Sequence, residues 1–550
     1  MKVRLFSRLK LKSSTLIALV AFYFTLVLNF AFYNKALTLH PFTGKAEDYF
    51  LLTIPLFIFF TLNAVFQLFA LPILHKVIMP VLLIISAAIS YQEIFYDVHF
   101  SSEMLDNVLQ TTPAESMRML TWQYLTWIAV FGILPAFLYV MVKIDYRTWW
   151  KETVVRLGLI MFSGVVILGI AKGFYQDYAS FVRNNKSEMS LLLPSNFISA
   201  SVNKVKQVRE ANRPYEYIGL DAKQNKPDSY RHLTVIVVGE TTRAQNWGLN
   251  GYARQTTPKL AARGDEVINF NSVSSCGTST AVSVPCMFSF LTKDQYDAGR
   301  VQKMDNLLDV LQRAGINIFW LENNSDCKGV CLRVPNETIQ ANKPTLKNYC
   351  TDGECLDEVM WPDVDKILTQ AGKDGKDTVL ILHTIGNHGP TYYERYTPEF
   401  KKFVPTCDTN QIQTCSNEQL VNTYDNSILY IDNFLNTLIA KLEHRDDLES
   451  AIYYVSDHGE SLGENGIYLH GTPYAIAPAY QTRVPMIFWF SKNWKQNEGV
   501  DLDCLRHNAS TQHYSHDNLF STVLGMMDME LNTNIYNRTL DILASCRKTH

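Results

Sequence analysis

In the stretch SCGTSTAVSVPC, residues 275–286, the hydroxyls of Ser275, Thr278, Ser279, Thr280 and Ser283 stand between and beside two cysteines. Their neighbours Ala281, Val282, Val284 and Pro285 are apolar, so solubility does not account for the cluster. The plain reading is a small-residue turn closed by a disulfide. The chemical reading is a nucleophile, which needs a group to take its proton. Further along, LTVIVVG runs into Glu240, AIYYVS runs into Asp457 and His458, and TVLIL ends in His383. TIGNHGP adds His388 and GIYLHG adds His470. Carboxylate oxygens with imidazole nitrogens, and no cysteine required, suit zinc or a similar divalent ion. A cation bound to an alcohol lowers its pKa as it does that of water, so no Ser-His-Asp relay is needed. Spacing does not choose among Thr280, Thr278 and Ser279. The competing readings are plain ones: Glu240 and Asp457 as helix caps, His458 orienting Asp457, and His383 hydrogen-bonded beside the site. Glu460 and Glu464 read as outer or surface groups. VSVPCMFSFL reads as a helix start whose N–H groups and dipole can hold a phosphate.

Such groups need strands to bring them together. LTVIVVG (233–239), INIFWL (316–321), TVLILH (378–383), AIYYVS (451–456) and VPMIFWF (484–490) are short apolar runs rich in β-branched and aromatic residues. Helix-like segments at 303–314 and 419–442 lie between them. This predicts buried parallel strands with covering helices, from about 231 to the end of the sequence. In open α/β sheets ligands bind beyond the carboxyl ends of the strands, where these acidic and imidazole groups fall.

The first 175 residues read differently. Five apolar runs, Thr15–Tyr33, Tyr49–Leu74, Val77–Tyr91, Thr121–Val142 and Thr153–Ala171, predict membrane spans, most reaching the roughly 20 residues that cross a bilayer. Lys2, Arg4, Arg8, Lys10 and Lys12 precede the first, and Lys143, Arg147, Lys151 and Arg156 join the last two. The connector after the third carries mostly acidic residues. The positive-inside rule then places the N-terminus in the cytoplasm and everything after the fifth span outside. All ten cysteines follow that span, as an oxidising compartment selects. They are Cys276, Cys286, Cys327, Cys331, Cys350, Cys355, Cys407, Cys415, Cys504 and Cys546. Pairing them in sequence order makes four short loops and one long clamp, whereas a zinc ribbon lacks its repeated C-x-x-C. A formal net charge of −3 gives no basic surface for nucleic acid. Residues 176–230 form a polar connector whose FISASVNKVKQVREANR stretch is amphipathic. It suits equally a helix on the membrane surface and one packed on the outer domain.

VVGETTRAQNWGLNGYARQTTP, SCGTSTAVSVPCMFSFL, NNSDCKGVC, HTIGNHGPTYYERY and SDHGESLGENGIYLHG together resemble the lipid A phosphoethanolamine transferases. That group includes the mobile colistin-resistance enzymes and belongs to the alkaline phosphatase superfamily. The resemblance implies a five-span helical membrane domain (1–175), the connector, and a periplasmic α/β/α sandwich of the alkaline phosphatase/sulfatase type (231–550). It also implies a monomer in the bacterial inner membrane. By the same matching, Thr280 is the nucleophile, and Glu240, Thr280, Asp457 and His458 hold one Zn2+. His388 and His470 line a second metal or substrate-phosphate position, with Lys328 near the headgroup. Asn107, Thr111 and Glu115 meet the lipid headgroup, and His383 is a further substrate-side residue. The implied reaction moves phosphoethanolamine from phosphatidylethanolamine to lipid A through a phospho-threonine. The consequence is weaker binding of polymyxins. Rival expectations are a membrane-anchored phosphodiesterase or sulfatase, a phosphoglycerol-type headgroup transferase, and a non-catalytic sensor.

Overall fold

The computed structural model describes residues 10–44, 48–71, 74–96, 100, 104–105, 108, 121–185, 188–225, 230–339, 346, 348–351, 353–530 and 535–548. The chain divides into two compact units, Met1–Asn212 and Arg213–His550.

In the first unit, helices Tyr49–Leu68, Leu74–Tyr96, Trp122–Met141 and Trp149–Arg183 are long and apolar enough to cross a membrane. A fifth is obtained if Ser13–Leu28 and Phe30–Leu39, which meet at 49°, count as one span. The bend falls at Asn29, after a π-helical turn at Phe24–Leu28. The Asn29 amide donates to Phe24 O and Leu193 O, both at 3.0 Å, and its Oδ1 accepts from Leu193 N–H at 2.8 Å. A polar side chain inside an apolar run is thus satisfied by backbone groups of its own helix and of distant Leu193.

The spans differ from expectation at their ends. The second stops at Leu68, where Phe69 leaves helical geometry (φ −91°, ψ 2°). The third extends to Leu74–Tyr96 because the polar residues that ended the apolar run find partners. His75 meets Tyr139 Oη at 2.7 Å, and Glu93 accepts from Asn196 at 2.8 Å. The last helix continues to Asn184, with Phe174 (φ −128°) interrupting its regularity, so residues 176–184 of the expected connector are helical. Of the amphipathic helix Ser195–Ala211, Phe197 packs in the core of this same unit, while Val202, Val205 and Val208 stay exposed.

The second unit is built on seven strands: β1 (Arg231–Gly239), β2 (Val267–Phe270), β3 (Asn317–Glu322), β4 (Asn336–Thr338), β5 (Thr378–His383), β6 (Leu448–Ser456) and β7 (Met486–Phe490). Their spatial order is β2-β7-β6-β1-β5-β3-β4. The stretch from β6 through β1, β5 and β3 to β4 is parallel, whereas β7 runs antiparallel to both β6 and β2. The expectation of a wholly parallel sheet is therefore corrected at VPMIFWF. Among the described residues no long crossover helix lies between β6 and β7, so the chain re-enters the sheet from the end at which β6 left it.

Alternation along β1 feeds two cores. Ile236 and Val238 pack with Leu307, Leu311 and Phe520 on one face, while Leu233, Val235 and Val237 pack with Tyr424, Ile428 and Leu435 on the other. The second face is covered by the 26-residue helix Asn417–Leu442, whose start is closed by reciprocal hydrogen bonds between Ser416 and Gln419. Helices Leu307–Arg313 and Asp517–Met526 cover the first. The layers are α/β/α.

All ten cysteines are oxidised, and they pair in sequence order. The four short loops are Cys276–Cys286, Cys327–Cys331, Cys350–Cys355 and Cys407–Cys415. Cys350 and Cys355 also face each other across a two-stranded antiparallel ribbon, so that bridge closes a hairpin. Cys407 and Cys415 close the loop that leads into helix Asn417–Leu442. Cys504–Cys546 is the long clamp, tying the C-terminal segment to helix Leu502–Thr511. Among the described residues, none of these sulfurs lies in the carboxylate and imidazole clusters that could hold a metal ion, and the bridges brace the fold covalently.

Candidate active site

β1 and β6 are adjacent and parallel, with Gly239 opposite Ser456, so the next residues, Glu240 and Asp457, emerge side by side. Gly239 has to be small there, because a Cβ would lie 2.7 Å from the Tyr454 ring. Thr280 is the first residue of helix Thr280–Met287, and the Cys276–Cys286 bridge spans the turn before it. Its Oγ1 donates toward Glu240, 3.1 Å from Oε2 and 3.2 Å from Oε1. His458 Nε2 lies 3.3 Å from Glu240 Oε1 and 3.4 Å from Asp457 Oδ2. Glu240, Asp457 and His458 are each fully buried.

Three acidic and imidazole groups without solvent need a compensating charge. Asp457 Oδ1 accepts from Thr241 N–H at 3.0 Å and from its neighbour His458 N–H at 2.7 Å, but Oδ2 is buried without a hydrogen-bond partner. His458 Nε2 is likewise buried and unsatisfied, while Nδ1 meets the Gly459 carbonyl at 2.9 Å. A proton on Nδ1 leaves Nε2 as the ring atom that faces two carboxylates. Burial and the Glu240 charge push Asp457 up to about 7. Burial works to lower His458, yet the Asp457 and Glu240 charges outweigh it and raise the imidazole to about 9. Burial works to raise Glu240, but the close approach and charge of His458 hold it well below the usual carboxylate range. Ligand atoms of Glu240, Asp457 and His458 lie within 4.8 Å of one another, so the group fits a single metal ion. The unsatisfied Oδ2 and Nε2 are the atoms such an ion would engage.

The remaining expected residues are distributed around this centre. The His470 ring lies 4.2 Å from that of His458, with Nδ1 3.3 Å from both Glu460 oxygens. His388 stands 6.1 Å from His470, ring to ring, and 4.0 Å from Glu354. Lys328, at φ +50°, sets its amino group 2.8 Å from Ser325 Oγ and 3.2 Å from Asp326 in the Cys327–Cys331 loop. His383 is fully buried, with Nδ1 2.8 Å from Glu322 and Nε2 3.5 Å from Asn324, so it reaches the centre through Asn324. Asn107, Thr111 and Glu115 lie outside the described residues.

Sequence reasoning gave no role to several groups that shape the site. Asn324 donates to Glu240 Oε2 at 2.6 Å, and Thr241 Oγ1 donates to Oε1 at the same distance from a left-handed backbone (φ +61°). Arg243 reaches Glu464 at 2.6 Å and the Glu460 carbonyl at 3.1 Å. His516 joins the turn before Thr280 to β6: Cys276 N–H donates to Nδ1 at 3.0 Å, and Nε2 meets the Ser456 carbonyl at 2.9 Å. Asn324 was visible only as part of NNSDCKGVC, and His516 had no local signal.

The sheet with its carboxylate and imidazole centre defines the class: residues 232–529 match the sulfatase family, and residues 58–208 match the family described as phosphoethanolamine transferase EptA/EptB. The chain is 44% identical over 550 residues to the phosphoethanolamine transferase EptA of Escherichia coli K12, covering 99% of each. It is 39% identical over 508 residues to the E. coli phosphatidylethanolamine transferase Mcr-1, covering 90% of this chain and 93% of that one. The solved integral membrane lipooligosaccharide phosphoethanolamine transferase A of Neisseria meningitidis aligns with a TM-score of 0.65 at 55% identity, covering 98% of this chain and all of that one. The chain belongs to the phosphoethanolamine transferase family.

Proposed function

We propose that the protein transfers phosphoethanolamine from phosphatidylethanolamine to a phosphate of lipid A at the outer face of the bacterial inner membrane, with its N-terminus cytoplasmic. The observation that carries this reading is the Thr280 hydroxyl, 3.1 Å from Glu240 at a helix start, beside buried Asp457 and His458 atoms that lack partners. The names of the relatives above support phosphoethanolamine, phosphatidylethanolamine and a lipooligosaccharide, and the resemblance of the motifs supplies lipid A as acceptor.

Glu240, Thr280, Asp457 and His458 would hold a zinc ion, as their N/O donor set suits. When bound, zinc supplies the positive charge that lowers the alcohol's pKa and offsets charge building on the phosphoryl oxygens. Thr280 Oγ1 points its proton at the Glu240 carboxylate, which orients it for attack on phosphorus. The Thr280 proton passes to the oxygen of the departing diacylglycerol as the Thr280–phosphorus bond forms, and a lipid A phosphate then takes the phosphoethanolamine and returns a proton to Thr280. Dividing one difficult displacement into two is nucleophilic catalysis. The helix N-terminus favours the anionic phosphoryl group, and His388, His470 and Lys328 flank the headgroup. Asn107, Thr111 and Glu115 complete its recognition. Both substrates are lipids, which accounts for helices able to cross the bilayer around which they diffuse.

Mass spectrometry of lipid A from producing cells tests this directly. A gain of one phosphoethanolamine, abolished by Thr280→Ala and partly kept by Thr280→Ser, is the expected result. Unchanged lipid A with free headgroup released would make the protein a hydrolase instead.

A further inference from the structure

A second buried cluster of metal-ligand side chains lies at the opposite end of the sheet from Thr280. His232 is the second residue of β1 and Glu449 the second of β6, paired across the parallel ladder. Glu240 lies eight positions beyond His232, roughly 26 Å along an extended strand. Glu498 follows helix Lys492–Asn497 and turns back onto the pair. From His232 Nε2 the distances are 2.8 Å to Glu449 Oε2, 3.3 Å to Glu498 Oε1 and 3.8 Å to Asp528 Oδ2. His232, Glu449 and Glu498 are 4%, 0% and 8% exposed.

The hydrogen bonds show which atoms lack a counter-charge. His232 Nδ1 meets the Met526 carbonyl at 3.3 Å, which places a proton there and turns the Nε2 lone pair toward the carboxylates. His458 is held in the same way by the Gly459 carbonyl in the active centre. Asn497 donates to Glu449 Oε1. Glu449 Oε2 is sealed from solvent, and among the described residues no donor reaches it in hydrogen-bonding geometry despite its closeness to Nε2. Two ligands about 2.1 Å from a shared tetrahedral ion stand roughly 3.4 Å apart, which the 3.3 Å from His232 Nε2 to Glu498 Oε1 matches and to which the 2.8 Å contact with Glu449 Oε2 would open by a few tenths of an ångström. Arg547 stands 3.9 Å from the other Glu498 oxygen, on the far side of that carboxylate.

We infer that His232, Glu449 and Glu498, whose ligand atoms lie within 4.8 Å of one another, form a second divalent-metal site of zinc-type ligand chemistry, structural and separate from the transfer centre, with Asp528 adding negative charge beside it. Its ion clamps the starts of the two central strands to the C-terminal segment that carries Glu498 and Asp528. The donor set is nitrogen and oxygen from protein alone, which is how a closed structural site differs from one that leaves a position for substrate. The imidazole N–H held by a carbonyl is the outer contact that such ligands use to fix their tautomer.

The test uses the full-length protein in detergent, stripped with chelator, returned to zinc alone, desalted and counted for bound metal. Working in an Asp457→Asn background removes the ion of the active centre from the count. Adding Glu449→Gln or His232→Ala is expected to remove one further zinc per chain, or to weaken it at least tenfold. Zinc should also raise the thermal unfolding midpoint of the Asp457→Asn protein, and this rise should vanish in the double variants. In the otherwise native chain, Glu449→Gln should leave transfer to lipid A within about threefold of wild type. Equal zinc counts with and without Glu449→Gln, in protein that keeps its circular dichroism, would overturn the site and leave a protonated imidazole between carboxylates. Should His232→Ala fail to fold, the near-isosteric Glu449→Gln decides alone.

Discussion

Removing the Asn324 side chain is the sharpest probe of how the centre is held. The residue follows β3 by two positions, with its backbone N–H donating to Glu322 Oε1 at 2.8 Å. Its Nδ2 then reaches Glu240 Oε2 at 2.6 Å and the Thr384 carbonyl at 3.2 Å. A hydrogen bond from a neutral donor to a buried carboxylate contributes about 1.5–3 kcal/mol, and its loss leaves Glu240 short of a donor where water cannot replace it. That range corresponds to about 10- to 150-fold, comparable to the roughly 10–100-fold cost of losing a contact that orients a metal ligand. Asn324→Ala should therefore weaken zinc binding about 10- to 100-fold, measured by chelator competition on detergent-solubilised full-length protein. Lipid A modification should fall in parallel and recover in excess zinc, because the damage is to affinity and not to Thr280. Asn324→Asp should be worse, since it sets a second carboxylate against Glu240. An Asn324→Ala enzyme with zinc affinity and transfer rate both within twofold of wild type would refute the reasoning.

Gly386 sits at φ +49°, and a Cβ there would lie 2.7 Å from Glu240 O and 3.0 Å from Glu240 N, backbone atoms that cannot swing aside. Gly386→Ala should cost about 1–2 kcal/mol for the left-handed backbone alone and displace Glu240, lowering transfer at least tenfold in a lipid A time course. Burial lowers His516 to about 4. An imidazole depressed on folding stabilises the native state above its ordinary 6.5 and loses that contribution as pH falls toward 4. About 3 kcal/mol should disappear across that window, and chemical denaturation of His516→Gln should show a correspondingly weaker acid dependence. The Cys504–Cys546 bridge spans 42 residues. Replacing both cysteines by serine should lower stability by about 4 kcal/mol if unfolded-chain entropy dominates, seen as a shift in denaturant midpoint.

Much of the architecture is legible in sequence because burial dictates residue type directly. Strands covered on both faces must be apolar at consecutive positions, so β1, β3, β5, β6 and β7 stand out as runs. Edge strands escape that rule: β4 reads NET, all three residues exposed, and β2 has only four residues beside the antiparallel β7. The direction of β7 is not written in its composition, since an apolar strand is equally buried either way up. Span ends depart from the apolar runs for a related reason. Hydropathy treats His75 and Glu93 as breaks, but Tyr139 and Asn196 come from distant sequence to satisfy them.

By itself the sequence determined that an apolar, helix-forming half precedes an oxidised α/β half, and that hydroxyl, carboxylate and imidazole groups cluster at strand ends. Those properties are local, because hydrophobicity, periodicity and side-chain chemistry belong to single residues and near neighbours. Tertiary structure alone decided that Gly239 lies opposite Ser456, which makes neighbours of Glu240 and Asp457 from distant parts of the chain. It also decided that Thr280 faces them, that Asn324 reaches Glu240, and that His232, Glu449 and Glu498 converge at the other end. Strand order and register set those distances. They follow from the packing of the whole sheet, which no short stretch of residues encodes.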